Sequence, residues 1–196
     1  MSHYFKNDET LTNKQIDFEV KIKDIVLNLR TNSGVFSKSK LDLGTKLLLE
    51  TIELEEKTKI VIDMGCGYGP IGIYIAKKYP DKKVFMYDIN ERAVDLSKIN
   101  ANLNDVEVIV KQSDLFTEVN FKADVIITNP PIRTGKKNVY RLYDEAYDRL
   151  NELGVFYLVV GKKQGAESTF HKINQLFSNC EILEKKKGYT VFKAVK

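Results

Sequence analysis

The chain has 196 residues, 43% hydrophobic and 30% charged, and its 31 basic and 27 acidic residues leave a mild net charge of +4. A chain of this size and composition can bury a core without staples. Its two cysteines, Cys66 and Cys180, lie far apart in no C-x-x-C arrangement, which excludes a disulfide scaffold or zinc ribbon and predicts no metal. No apolar run approaches the ~18 residues that cross a bilayer. The start, Met1-Ser2-His3-Tyr4-Phe5-Lys6, lacks the apolar stretch of a secretory signal, so a soluble, cytoplasmic protein with no membrane partner is expected.

Asp17 to Lys23 alternates strictly, with Phe18, Val20 and Ile22 on one face, and reads as a strand. Asn32-Ser33-Gly34 reads as a turn, and Leu41 to Leu54 places Leu41, Leu47, Leu48 and Ile52 near helical spacing. Residues 1–40 are therefore expected to form a short N-terminal β extension packed on the same domain as residues 41–196.

From Lys59 the pattern becomes alternating βα units. Ile60-Val61-Ile62 suits a strand buried on both faces. Pro70 to Tyr79 reads as a helix, with Pro70 tolerated in its first turn. Strands are expected at Val84 to Tyr87, Val106 to Val110, Ala123 to Thr128 and Val155 to Val160. Helices are expected at Glu91 to Leu103, at Asn138 to Leu150 (stopped near Gly154) and at Thr169 to Phe177. Two last strands, Glu181 to Leu183 and Tyr189 to Val195, meet through Lys187-Gly188, a joint that indicates an antiparallel hairpin. The whole is a doubly wound α/β, Rossmann-like fold, whose ligands bind beyond the C-terminal strand ends where strand order reverses.

The loop after Ile62 reads Asp63-Met64-Gly65-Cys66-Gly67-Tyr68-Gly69-Pro70-Ile71-Gly72. From Gly67 it matches the dinucleotide pattern G-x-G-x-x-G, and from Asp63 it matches D-x-G-x-G-x-G, the loop associated with S-adenosylmethionine. Register separates the two. A dinucleotide loop puts its first glycine at the strand end, under a pyrophosphate. Here the apolar run stops at Ile62 and Asp63 is expected at the strand tip, where a carboxylate repels a pyrophosphate and attracts an ammonium or sulfonium. Gly65, Gly67 and Gly69 let backbone press on a ligand, with Cys66 between them.

Asp88 closes the next strand, placed to accept from both ribose hydroxyls, a feature that NAD and S-adenosylmethionine share. Its neighbour Ile89 can cover one adenine face. Ser113-Asp114-Leu115 follows the third strand, with Asp114 placed for the adenine amino group.

Thr128-Asn129-Pro130-Pro131-Ile132 is the most specific feature of the chain. Two prolines fix φ and restrain the residues before them. An exocyclic base amine is a poor nucleophile because its lone pair is delocalised. If the Asn129 side-chain oxygen and the Pro130 carbonyl each accept one N–H, the nitrogen pyramidalises and its growing charge meets two preorganised dipoles. No general base is needed, so His3 and His171 read as structural or surface residues.

On these residues the chain resembles class I S-adenosylmethionine-dependent methyltransferases of the N-P-P subgroup. More narrowly it resembles the ribosomal small-subunit RNA guanine-N2 methyltransferase (RsmC-type) family, in a short single-domain form. His3-Tyr4-Phe5, Gly34-Val35-Phe36-Ser37, Leu41-Asp42-x-Gly44-x-x-Leu47-Leu48-Leu49 and Asn129-Pro130-Pro131-Ile132-Arg133-x-Gly135-Lys136 carry the narrower likeness. The resemblance implies a seven-stranded, mostly parallel sheet with its last strand antiparallel. It implies cofactor contacts at Asp63, Gly65, Gly67, Asp88 and Asp114, amine contacts at Asn129 and Pro130, and ribosomal RNA or the small subunit as partner. Many N-P-P enzymes carry an aromatic residue where Ile132 stands here, which leaves Phe36 as a candidate for stacking on the base. Longer relatives carry a second copy of the domain, so RNA capture is expected from basic residues such as Arg133 and Lys136. Methylation of adenine N6 or of a release-factor glutamine, and a non-catalytic RNA-binding assembly factor, are the competing readings.

Overall fold

The computed structural model describes residues 15–32 and 40–196. The expected strand at the start is half of a hairpin. β1 (Gln15–Ile22) and β2 (Ile25–Asn32) pair antiparallel in register from Gln15↔Asn32 to Ile22↔Ile25. The second strand escapes a search for alternation because Ile25, Val26, Leu27 and Leu29 cluster instead of alternating. Ser33 and Gly34 of the expected turn lie outside the described residues.

α1 (Leu43–Thr51) is capped by Asp42, whose side chain accepts from Thr45 N at 2.9 Å. This is the ordinary way of satisfying a first-turn donor, and it starts the helix two residues after the apolar spacing does.

β3 (Ile60–Met64), β4 (Lys83–Asp88), β5 (Ile109–Gln112), β6 (Ala123–Thr128), β7 (Leu150–Gly161), β8 (Glu181–Lys186) and β9 (Tyr189–Val195) form one seven-stranded sheet in the order β5-β4-β3-β6-β7-β9-β8. Pairing is parallel from β5 through β7, and β9 runs antiparallel to both neighbours. The helices between are α2 (Pro70–Lys78), α3 (Glu91–Leu103), α4 (Lys136–Arg149) and α5 (Ala166–Phe177). Alternation along the strands divides the core. Val61, Met86, Val125 and Ile127 pack with α1, α2 and α3, while Ile62, Tyr87, Ile126 and Phe156 pack with α4 and α5. Burying both faces is what gives the central strands their continuous apolar runs.

Several boundaries differ from the sequence reading. β3 continues through Asp63 and Met64, so Asp63 is inside the strand and not at its tip. β5 begins at Ile109 because Asp105, at φ 53, turns the chain and Val106 N bonds back to Ala101 O. Gly154 does not stop a helix: α4 ends at Arg149, and Gly154 lies in a bulged start of β7, where Ala123↔Leu150 gives way to Val125↔Val155. α5 starts at Ala166, after Gly165 at φ 93. The Lys187-Gly188 joint is as expected, both residues having the positive φ that a tight hairpin turn requires.

The hairpin is anchored by helix side chains. Asn100 on α3 accepts from Arg30 N at 2.6 Å and donates to Arg30 O at 2.8 Å. Asn104, one turn on, does the same for Asn28, at 3.0 and 2.7 Å. Two amides at helical spacing thus take the place of a third strand along β2. Glu53 ties the turn of the hairpin to α2, accepting from Lys23 and Lys78 at 2.6 Å each and from Tyr79 Oη at 2.8 Å.

Candidate active site

Strand order reverses at β3. The chain runs outward through β4 and β5, then returns to the other side of β3 as β6. The crevice beyond β3 and β6 is therefore where a doubly wound sheet binds its ligand. Thr128, the last residue of β6, donates its hydroxyl to Met64 O at 2.7 Å and fixes the two strand ends together.

The glycine loop leaves β3 with Gly65 N and Cys66 N both donating to Tyr87 O, at 2.8 and 2.9 Å. Its glycines do two kinds of work. Gly65 and Gly67 have φ of +73 and +59; a Cβ on Gly67 would meet nothing within 4 Å, and one on Gly65 only Pro131 Cδ at 4.0 Å. That is open space beside backbone, with the N-P-P loop as its far wall. At Gly69 a Cβ would come within 2.9 Å of Ile73 and Met86, so this glycine serves the packing of α2. The Cys66 thiol is buried against Ser97 and is pushed well above its ordinary pKa by burial, then by the nearby Asp88 and Asp63. Only its backbone is available to the crevice.

Asp63 is fully buried on the α2 side of the sheet. One carboxylate oxygen accepts from Gly72 N at 2.9 Å, and the other has no hydrogen-bond partner. Burial, opposed by the Gly72 bond and reinforced by Asp88, raises its pKa to about 7. Asp88 accepts from Gly67 N at 2.8 Å and Asn90 N at 2.9 Å, one on each oxygen. A carboxylate oxygen takes more than one donor, the property that a ribose diol would call on. Ile89 beside it is a large apolar residue left 40% exposed, at the C-terminal edge of the sheet.

Ser113 is buried and organises the next loop: its N donates to Asp88 O at 2.9 Å, and its hydroxyl donates to Leu115 O at 2.5 Å and accepts from Glu118 N at 3.2 Å. Leu115 is held at φ 49. Asp114 is exposed and paired with Arg141, which reaches its two oxygens at 3.1 and 3.0 Å. Among the described residues it bonds to none of the other expected site residues.

In the N-P-P loop, Asn129 donates from Nδ2 to Asp42 Oδ2 at 3.0 Å and to Thr45 Oγ1 at 2.9 Å. Both amide protons are used and Oδ1 remains an acceptor. The Pro130 carbonyl accepts from Ile132 N at 2.9 Å and Pro131 O from Thr134 N at 3.0 Å, which folds Ile132–Thr134 into a 3-10 turn. Ile132 is half-buried, packed against the α4 side of the core. Lys136 is exposed in the first turn of α4, its Nζ 5.1 Å from the Tyr140 ring centre. Phe36 and the side chain of Arg133 lie outside the described residues.

Sequence reasoning misses Asp42, Thr45 and Tyr189 as parts of the site. Tyr189 packs where Gly44 has no side chain, since a Cβ there would come within 2.8 Å of the ring, and its hydroxyl reaches Asp42 Oδ1 at 3.5 Å. The one available signal is the Asp-x-x-Thr spacing of a helix cap, which says nothing about a loop 87 residues away.

The arrangement is an acceptor-lined crevice between an open glycine turn and a stiff Asn-Pro-Pro corner. A family model described as Methyltransferase small domain matches residues 26–193. The uncharacterized protein YbxB of Bacillus subtilis is 38% identical over 99% of this chain and 98% of its own length. Ribosomal RNA small subunit methyltransferase C of Haemophilus influenzae is 38% identical over 68% of this chain but only 41% of its own, so the chain spans about half or less of that relative. Among solved structures, the Thermus thermophilus 16S rRNA N2 G1207 methyltransferase (RsmC), in complex with AdoMet and guanosine, aligns with a TM-score of 0.82 at 24% identity, over 93% of this chain and 50% of its own. At that identity the likeness is one of fold.

Proposed function

Because the chain belongs to the methyltransferase small domain family, we propose that it moves a methyl group from S-adenosylmethionine to an exocyclic amine of RNA, with guanine N2 of small-subunit ribosomal RNA as the acceptor. The observation that carries this reading is the Asn129 amide: its nitrogen is satisfied on both protons and its oxygen is left to accept, in the loop facing Gly65. Such a group suits a ligand that arrives with N–H donors.

The residues present fit the cofactor. Gly65 and Gly67 leave room beside backbone, Asp88 offers a carboxylate for ribose hydroxyls, and Ile89 offers an exposed apolar face for adenine. Asp63, fully buried beneath the glycine loop, holds the start of α2 through Gly72 N, and the loop of Ser113, Asp114 and Leu115 is assigned the adenine end. When bound, the cofactor supplies a sulfonium methyl, an electrophile that needs only an aligned lone pair. Asn129 Oδ1 and the remaining lone pair of the Pro130 carbonyl would each accept a hydrogen bond from one amine N–H and turn the nitrogen lone pair out of conjugation. The positive charge that grows on nitrogen then faces two fixed dipoles, and one of the two amine protons leaves to water after the methyl has transferred. Holding both partners in one crevice removes most of the entropic cost of their encounter.

RNA is favoured over a protein amide by charge. Lys136, Lys137, Lys162, Lys163, Lys186 and Lys187 are all exposed and make no ion pair with another described residue. They sit at the start of α4, in the turn after β7 and at the end of β8 with the turn that follows it. The register brings the ends of β7 and β8 to one edge of the sheet, since Gly161 and Lys186 both pair with Tyr189. Lysines at that edge can follow a phosphate backbone into the crevice.

Mass-spectrometric mapping of nucleosides in small-subunit ribosomal RNA, from cells with and without the gene, tests the reading. N2-methylguanosine should vanish from one position and return on treatment with the purified protein. An unchanged guanosine profile with a lost N6-methyladenosine or methylglutamine would replace this acceptor.

A further inference from the structure

We propose that Asp42 is a positioning residue for the acceptor amine, and that the N-terminus of α1 decides, through it, which way the Asn129 amide faces. The proposal rests on the role given to Asn129 above. The two ends of a side-chain amide are nearly identical in shape, so only its neighbours choose between them. Thr45 Oγ1, 2.9 Å from Asn129 Nδ2, cannot choose, because a hydroxyl accepts or donates equally well. Asp42 Oδ2 can. It accepts from Thr45 N at 2.9 Å as the helix cap and from Asn129 Nδ2 at 3.0 Å, so one oxygen serves both.

A helix N-terminus presents unpaired N–H groups and demands an acceptor at its cap. Whatever atom caps Thr45 must therefore be an acceptor toward Asn129 too, and Asn129 must answer with its NH₂. Its oxygen is then turned away from Asp42 and kept for the substrate. The opposite orientation sets Oδ1 against an acceptor and offers the incoming amine a donor it cannot use. Tyr189 Oη, 3.5 Å from Asp42 Oδ1, braces the carboxylate from β9.

Two substitutions separate this role from a merely structural one. Asp42→Ser keeps a helix cap but draws the oxygen back toward the backbone, out of reach of Asn129. Asp42→Asn keeps both the cap and the reach, because the bond from Thr45 N holds its oxygen in place. Both should leave the unfolding midpoint and the dissociation constant for S-adenosylmethionine near those of the original protein. In transfer of labelled methyl to small-subunit ribosomal RNA, Asp42→Ser should lower kcat about tenfold with KM little changed, and Asp42→Asn should stay within about threefold.

Unchanged kcat in Asp42→Ser, equal losses in both variants, or a loss that tracks the unfolding midpoint would each overturn the proposal. Exchange of the Asn129 side-chain amide protons, followed by NMR, reads the orientation without any substrate. Slow exchange in the original and in Asp42→Asn with fast exchange in Asp42→Ser supports it, and fast exchange in all three overturns it. Failure of the original protein to label RNA would count against the acceptor proposed above and leave this second readout decisive.

Discussion

Thr128 and Met64 end adjacent strands, and the hydroxyl of the one donates to the carbonyl of the other at 2.7 Å with both residues buried. This bond sets the spacing between the glycine loop and the Asn-Pro-Pro corner, since each begins at the next residue. Thr128→Val preserves shape and removes the donor, stranding a buried carbonyl. A loss of about 1–3 kcal/mol in unfolding free energy is expected, measured by denaturant titration, with a fall in kcat because Asn129 is the adjoining residue.

Asn100 holds Arg30 N, Arg30 O and Tyr68 O, and so joins the N-terminal hairpin to the glycine loop. In Asn100→Ala all three backbone groups lose their partner. The expected cost is on the order of 2–4 kcal/mol. Hydrogen exchange should show the amides of β1 and β2 losing protection well before those of β3 and β6. Uniform loss across the sheet would mean that the hairpin is held by other contacts.

Asp88→Ala should weaken S-adenosylmethionine binding by roughly 1.5–3 kcal/mol for each charge-assisted bond lost, measured by calorimetry. An unchanged dissociation constant would remove Asp88 from the ribose and leave it a structural role, through bonds such as those from Gly67 N and Asn90 N.

Asp63 predicts a pH dependence. Its pKa is raised to about 7 by burial, so the folded chain holds a proton that the unfolded chain has already released. Stability should therefore fall as pH rises from about 4 to about 7 and level off above. Glu53 acts the other way in a lower window: hydrogen bonds from Lys23 and Lys78 draw its pKa down to about 2, and its contribution is lost as pH falls below the usual carboxylate range. Asp63→Asn isolates the first effect. Between pH 5 and pH 8 the variant should gain a few kcal/mol relative to the original protein, at roughly 1.4 kcal/mol for each step of one in pH up to neutrality. Parallel curves would show that Asp63 stays ionised throughout.

The parts of this molecule legible in its sequence are those set by local pattern. The βα alternation, the Lys187-Gly188 turn, the glycine loop and the Asn-Pro-Pro corner all announce themselves within a few residues. The place of Asp63 is not legible, because a charge resembles a strand end, whereas this strand tolerates it by giving one oxygen to Gly72 N. β2 is hidden because its edge is completed by Asn100 and Asn104, side chains on a helix some 70 residues later. Asp42 is hidden for the same reason: its bond to Asn129 exists only once the sheet is assembled.

β8 bounds the sheet on one side, and its residues Glu181-Ile182-Leu183-Glu184-Lys185-Lys186 are exposed except Leu183. Four of the six carry charge. An unpaired strand edge is a template for any other chain in extended form, and charges along it oppose such pairing. The opposite border, β5, is only four residues long and ends in exposed Lys111 and Gln112. Both borders of the sheet thus oppose the edge-to-edge pairing of one copy of this chain with another.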